Sequence, residues 1–247
     1  MSINKQRIDL LLVQTGLARS RQHARALIMA GQVLVNEEPV TKPGASIATD
    51  APLRVKGEAL PYVSRGGLKL EAAIQALQIQ IKDLVCLDVG ASTGGFTDCL
   101  LHHGAQKVVA VDVGYGQLAW KLRQDKRVAV MERTNIRHLT AAALPDRFDL
   151  ATIDVSFISL RIVVPAVLTF MRPTGSIIAL IKPQFEVGKG LVGKGGVVKD
   201  PLMHDQVIAE LTTCFKQLGL SGPPVIPSPI LGPKGNREFL IYLAPVS

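Results

Sequence analysis

Apolar residues recur at helical spacing near the start of the chain, where Ile8, Leu11 and Leu12 share a face and Gly16 ends the run. Ser20 is placed to cap a second helix whose buried stripe is Ala24, Leu27 and Ile28, closed by Gly31. Val33 and Val35 alternate as a strand, Asn36-Glu37-Glu38 turns, and Val40 begins a return. A third helical stripe, Leu70, Ile74, Leu77 and Ile81, opens at Ser64-Arg65-Gly66-Gly67, with Lys69 beside it. Beyond it the pattern changes to short apolar runs bounded by charges and glycines: 84–90, 107–111, 127–131, 148–154, 176–182 and 238–243. Short apolar runs alternating with helical stretches predict an α/β sheet, here preceded by a small α+β unit.

The composition shifts at Leu60-Pro61-Tyr62-Val63, where a proline intervenes. The expected organisation is a small unit over 1–59, a linker over 60–63 and the larger unit over 64–247. Hydrophobic residues make up 47% of the 247 positions and charged residues 19%, a composition that excludes a largely disordered chain. The longest charge-free stretch, Gln217 to Pro233, carries five prolines, and the apolar run Ile162–Met171 is too short for a spanning helix of ~20 residues. The first residues meet Asp9 before any long apolar segment, so no secretory signal is expected. Cys86, Cys99 and Cys214 are scattered without a CxxC pair, which argues against a zinc site or a disulfide framework and fits the cytoplasm. No metal and no obligate protein partner are expected.

The formal net charge of +8 predicts attraction to polyanions. Residues 1–30 hold five Lys/Arg against one acid, and Arg21 and Arg25 share a helix face with Arg19 just before it. The pattern R-x-D-x-L-L…G-x-x-x-S-R-x-x-A-x-x-x-I-x-x-G-x-V-x-V-N, from Arg7 to Asn36, resembles the small RNA-binding domain first known from ribosomal protein S4. That resemblance implies basic side chains laid on structured RNA, contacting mostly phosphate and helix shape. The candidates are Arg7, Arg19, Arg21, Arg25 and Lys42, joined by Arg65 and Lys189 from the larger unit. The glycine- and lysine-rich segment from Gln184 to Asp200 reads as a lid over RNA phosphates or as an ordinary surface loop.

The run Leu84–Gly90 is an apolar strand ending in an acid, Asp88, and a glycine, Gly90. Ala91, Ser92, Thr93, Gly94, Gly95 and Phe96 follow, and a helix can continue from Thr97 to His102. A strand, a small-residue loop and a helix allow close backbone approach to a nucleotide-type ligand at a strand's carboxyl edge. The dinucleotide pattern G-x-G-x-x-G is absent, and D-V-G-x-x-x-G-G instead resembles motif I of S-adenosylmethionine-dependent methyltransferases. Asp112, at the tip of the next strand and 17 residues beyond Gly95, is suited to accept both ribose hydroxyls of an adenosine, with Val113 beside it. Asn135 and Ile136, after the third strand, take the place where these enzymes hold the adenine.

Asp154 ends the fourth strand, Lys182 ends the fifth and Glu238 begins the last. In the Rossmann-like class I methyltransferase sheet, mostly parallel with its last strand antiparallel, those three would converge beside the cofactor loop, with Lys69 entering from the preceding helix. Lys69, Asp154, Lys182 and Glu238 match the tetrad of FtsJ-type RNA ribose 2′-O-methyltransferases, and Asp154 also borders the cofactor. The stretches S-R-G-G-L-K-L, D-V-G-A-S-T-G-G-F-T-D, A-V-D-V-G-Y-G-Q-L, D-V-S-F-I-S-L, K-P-Q-F-E-V-G, K-G-G-V-V-K-D and G-P-K-G-N-R-E closely resemble the TlyA family over nearly the whole chain.

The resemblance implies methyl transfer from S-adenosyl-L-methionine to a cytidine 2′-hydroxyl in small- and/or large-subunit ribosomal RNA, with ribosomal RNA or ribosomal subunits as the partner. Some members carry the name haemolysin, so a cytolysin and a non-catalytic RNA-binding or assembly factor are the competing readings. The resemblance puts Lys182 next to the 2′-hydroxyl. A lysine acting as a base must be neutral, whereas Asp154 and Glu238 favour its charged form and Lys69 and the sulfonium oppose that. The preferred role for Lys182 is therefore to organise the nucleophile by hydrogen bonding and charge, with transient proton acceptance as the alternative; Asp154 and Glu238 would orient it, and Lys69 would hold the tetrad or the RNA.

Overall fold

A computed structural model describes residues 5–36, 38–56, 61–144, 147–188, 190–193 and 195–246. The chain divides into two compact units, Met1–Ala59 and Leu60–Ser247.

In the first unit, β1 (Lys5–Arg7) leads into α1 (Ile8–Gln14) and α2 (Arg21–Met29), followed by β2 (Val33–Val35), β3 (Glu38–Pro39), β4 (Ser46–Ala48) and β5 (Leu53–Val55). Strand β1 pairs with β4, and β2 lies between β3 and β5, all antiparallel. Ser20 caps α2 as its sequence position predicts, its Oγ accepting from the His23 backbone N–H at 3.1 Å. Ile8, Leu12, Ala24, Ile28 and Val33 form the small core. Asp9 is completely buried at its edge, and Arg7 and Arg21 both reach its Oδ2, at 2.9 and 3.0 Å. Those hydrogen bonds, led by Arg7, hold the Asp9 carboxyl well below the usual carboxylate range.

The second unit begins with packed residues. Tyr62 is buried and its hydroxyl donates to Glu71 at 2.5 Å, while the Val63 N–H donates to Asp98 at 2.8 Å. These two residues, expected in the linker, therefore belong to the packing of the larger unit. Its elements are α3 (Gly66–Leu77), β6 (Val85–Val89), α4 (Gly95–His102), β7 (Lys107–Val111), α5 (Trp120–Arg123), β8 (Val128–Met131) and β9 (Phe148–Ile153). There follow α6 (Leu160–Leu168), β10 (Met171–Ile181), α7 (Pro183–Glu186), α8 (Pro201–Gln217), β11 (Leu220–Ser221), β12 (Ile226–Pro227) and β13 (Phe239–Pro245). Helix α3 stops before Ile81 because Gln78 adopts a left-handed backbone at φ 52°; Ile81 is buried all the same, outside the helix.

Among the described residues the strands form one sheet in the order β11-β13-β10-β9-β6-β7-β8, with β12 also on β13. Strands β6 to β10 are parallel to their neighbours in this order, and β13 runs antiparallel to β10. Strand residues alternate between two apolar layers. Leu87, Val89 and Val111 meet α6 and α8 on one face, through side chains such as Val164 and Leu211. Cys86, Val108 and Ala110 meet α3 and α4 on the other, through Leu70 and Leu100. The chain runs outward from β6 to β8 in one direction and from β9 to β10 in the other. The topological switch point, where such sheets bind ligands, thus lies at the carboxyl ends of β6 and β9.

Candidate active site

Two cavities open at that switch point. The larger, about 830 Å³, runs from the ends of β6, β7 and β8 to the loop after β9, and Gly90, Asp112, Val113, Asn135, Ile136 and Asp154 contribute to its lining. The smaller, about 370 Å³, lies between the motif I loop and the start of α3, with Ser64, Arg65, Gly66 and Lys69 on its wall. Ala91, Thr93, Gly95 and Phe96 line only the smaller one, whereas Gly90, Ser92 and Asp154 border both. Both volumes fall in the range of small-molecule sites.

Gly90 needs to be glycine twice over. Its φ is +86°, and an added Cβ would lie 2.5 Å from the Asp154 carbonyl oxygen. Asp112 accepts from the Ser92 N–H at 2.7 Å and the Gly114 N–H at 2.6 Å, so its carboxylate is fixed at the cavity rim with lone pairs to spare. Asn135 accepts from the Arg137 N–H at 3.1 Å and so caps the short turn that follows it. These features fit an adenosine-bearing ligand: a clamped carboxylate for adjacent hydroxyls, the apolar Val113 and Ile136 for a ring, and a bare backbone where the chain must come close.

Two expected cofactor residues are placed elsewhere. Asp88 is completely buried, accepting from Thr97 Oγ1 at 2.6 Å and Thr152 Oγ1 at 2.9 Å, and lines neither cavity. Alternation along β6 turns its side chain into the layer below α4, where it ties β6 to α4 and β9. Burial there pushes its carboxyl up to about 6. Gly94 faces inward too: its φ is +93°, and a Cβ would lie 2.2 Å from Leu122 Cδ1.

The four ionic residues meet as two pairs. Lys69 Nζ donates to Glu238 Oε2 at 2.5 Å, and Lys182 Nζ lies 2.6 Å from Asp154 Oδ1. Glu238 and Lys182 stand one residue beyond the Ile181–Phe239 pair of the antiparallel ladder, which puts them at the same sheet edge. Lys69, Lys182 and Glu238 are all buried, and Lys69 and Asp154 face the smaller cavity together. Among the described residues Glu238 Oε1 is buried without a hydrogen-bond partner, pressed against Gly232, where a Cβ would lie 2.0 Å away. Gly232 has an ordinary φ of −72°, so it is the Glu238 carboxylate that excludes a side chain there.

The sequence reading passed over several neighbours. Ser156 accepts from Lys182 Nζ at 3.1 Å. Phe157, at φ +64° and 90% exposed, holds its ring 5.0 Å from that of Phe185 at the rim of the larger cavity. Both belong to quoted motifs, D-V-S-F and K-P-Q-F, but only the fold shows that these loops touch. Of the expected RNA contacts, Arg19, Arg25, Lys42 and Arg65 are exposed, and Arg65 lines the smaller cavity. Arg7 and Arg21 are half exposed and share Asp9. Lys189 lies outside the described residues. No helix among the described residues is long and apolar enough to cross a membrane.

Residues 62–244 match the FtsJ-like methyltransferase family, and residues 6–49 match the S4 domain. The chain is 51% identical over 244 residues to a Bacillus subtilis protein named "Putative rRNA methyltransferase YqxC", covering 98% of this chain and 87% of that one. It is 48% identical over 240 residues to the "16S/23S rRNA (cytidine-2'-O)-methyltransferase TlyA" of Mycobacterium tuberculosis, covering 97% and 90%. A solved structure described as "Putative hemolysin from Streptococcus thermophilus" superposes with a TM-score of 0.78 at 42% identity, covering 100% and 90%. Identity of this order along nearly the full length of both chains places the protein in the TlyA-type branch of the FtsJ-like methyltransferase family.

Proposed function

We propose that the protein transfers a methyl group from S-adenosyl-L-methionine to the 2′-hydroxyl of a cytidine in small-subunit ribosomal RNA, large-subunit ribosomal RNA or both. The observation that carries this reading is the pairing of Lys182 with Asp154 and of Lys69 with Glu238 beside the cavity at the switch point. The names of the relatives supply the acceptor class.

Asp112 would hold the ribose of the donor, Val113 and Ile136 its adenine with Asn135 alongside, and the Gly90–Thr93 loop its amino-acid portion. When bound, S-adenosyl-L-methionine supplies an electrophilic methyl on a sulfonium centre. Lys182, an ammonium donor in its ion pair with Asp154, orients the acceptor oxygen and stabilises the negative charge that grows there as the oxygen takes the methyl group and its proton passes to solvent. Lys69 and Glu238 hold the adjoining wall. Because these groups are already in place and largely dry, alignment and exclusion of water contribute much of the acceleration. Phe157, with its exposed ring beside Phe185, offers a stacking surface for a base turned out of its helix.

Domain roles follow the same division. Residues 1–59 dock structured RNA through Arg7, Arg19, Arg21, Arg25 and Lys42, and the larger unit performs the chemistry with Arg65 and Lys189 as further phosphate contacts. The test is incubation with labelled S-adenosyl-L-methionine and separated, unmodified ribosomal subunits, then mapping of the label. A methyl on a ribose 2′-oxygen in the RNA of one or both subunits is the expected result; a methyl on a base, or none on either subunit, contradicts the reading.

A further inference from the structure

The loop leaving β9 and the segment leaving β10 run side by side, and Lys182 bonds across the gap. Its Nζ reaches Asp154 Oδ1 at 2.6 Å and donates to Ser156 Oγ at 3.1 Å. An ammonium carries three N–H bonds in tetrahedral arrangement, so one acceptor leaves it free to spin and two fix the direction of the third bond. We infer that Ser156 is a positioning residue: with Asp154 it aims the remaining N–H of Lys182 at the oxygen that receives the methyl group. This inference rests on the proposed methyl transfer and adds to it a fifth side chain outside the ionic quartet.

The surroundings suit that role. Ser156 is exposed and lines the larger cavity, whereas Lys182 is buried behind it. Its backbone is held on both sides of the gap. Phe157, the next residue, packs its ring on Phe185, three residues beyond Lys182. Ser159 Oγ and the Leu160 N–H donate to the Glu186 carboxylate at 2.6 and 2.8 Å, four residues beyond Lys182. Contacts thus tie the loop bearing Ser156 to the segment bearing Lys182, with the hydroxyl held within hydrogen-bond reach of the ammonium. An exposed serine with no function would instead tolerate loss of its hydroxyl without consequence.

The test compares Ser156→Ala and Ser156→Thr in the full-length enzyme with labelled donor and unmodified ribosomal subunits. Losing one hydrogen bond to a charged group predicts a kcat about tenfold lower for Ser156→Ala. The KM for the donor and the thermal midpoint are expected to stay as in the parent. Ser156→Thr, which keeps the hydroxyl on an exposed site with room for a methyl, is expected to restore kcat. Full kcat in Ser156→Ala, a loss that Thr fails to restore, or a loss confined to donor KM or to melting overturns the inference. Lys182→Ala in the same assay separates the two levels. If it too retains full activity, the proposed chemistry falls; if it is inactive while Ser156→Ala is normal, only the positioning role falls.

Discussion

A Cβ at position 90 would press on the carbonyl of Asp154, the residue that follows β9 and pairs with Lys182. Gly90→Ala must therefore either stay in the left-handed region, at a cost of about 1–3 kcal/mol and with its Cβ pushing Asp154 aside, or shift the loop out of that conformation. The expected outcome is at least about tenfold weaker donor binding by calorimetry; an unchanged affinity would show that the loop does not seat the donor. Asp88, three residues into the same loop's strand, makes a different prediction. Its carboxyl is held near 6 against an ordinary 3.8, so between those values the folded state binds more protons than the unfolded state, and stability falls as pH rises. The full shift corresponds to roughly 3 kcal/mol. Asp88→Asn cannot ionise, so its stability relative to the parent should climb from about pH 4 to pH 6 and then level off in urea titrations. A difference that stays flat with pH would mean Asp88 is not the strained, buried acid described above.

At the scale of elements, the strand-end charges were legible because Asp154 and Lys182 close apolar runs and Glu238 opens one, and a parallel sheet with an antiparallel last strand collects those ends at one edge. That logic placed Asp154, Lys182 and Glu238 together before any coordinates. It could not say which way each side chain turns. Asp88 and Gly90 look equivalent in D-V-G, yet Asp88 is still inside β6 with its carboxylate bonded to α4, while Gly90 lies past the end of the strand at the ligand edge. Arg7 and Arg21 likewise read as a free basic surface, because only the fold brings the buried Asp9 between them. The contact between the β9 and β10 exits was invisible for the same reason, being made by loops 26 or 27 residues apart. Its strongest link is Glu186, whose carboxyl is raised by burial and caps the start of α6 by accepting from Ser159 and Leu160. Glu186→Ala removes that cap and leaves a buried N–H unpaired, a loss of about 1–2 kcal/mol. Urea unfolding checks the stability term, and kcat should fall with it; a silent substitution would show that the two exits are independent.

At the scale of the molecule, the excess of eight positive charges predicts that RNA affinity falls steeply with salt and carries no sequence preference of its own. Arg25 and Lys42, exposed on the first unit, are suited to phosphate contact. Replacing either with alanine should weaken rRNA binding uniformly and lower the slope of log affinity against log salt by about one. Unchanged slopes for both would move the RNA-binding surface elsewhere. The full chemical account, however, depends on Lys182 acting at the acceptor oxygen. Its most direct test is the rate of 2′-O-methyl formation on unmodified ribosomal subunits by Lys182→Ala, with donor binding confirmed by calorimetry. The account predicts a variant that binds S-adenosyl-L-methionine normally and forms 2′-O-methyl ribose at least about a hundredfold more slowly; methyl transfer at the parent rate would contradict it.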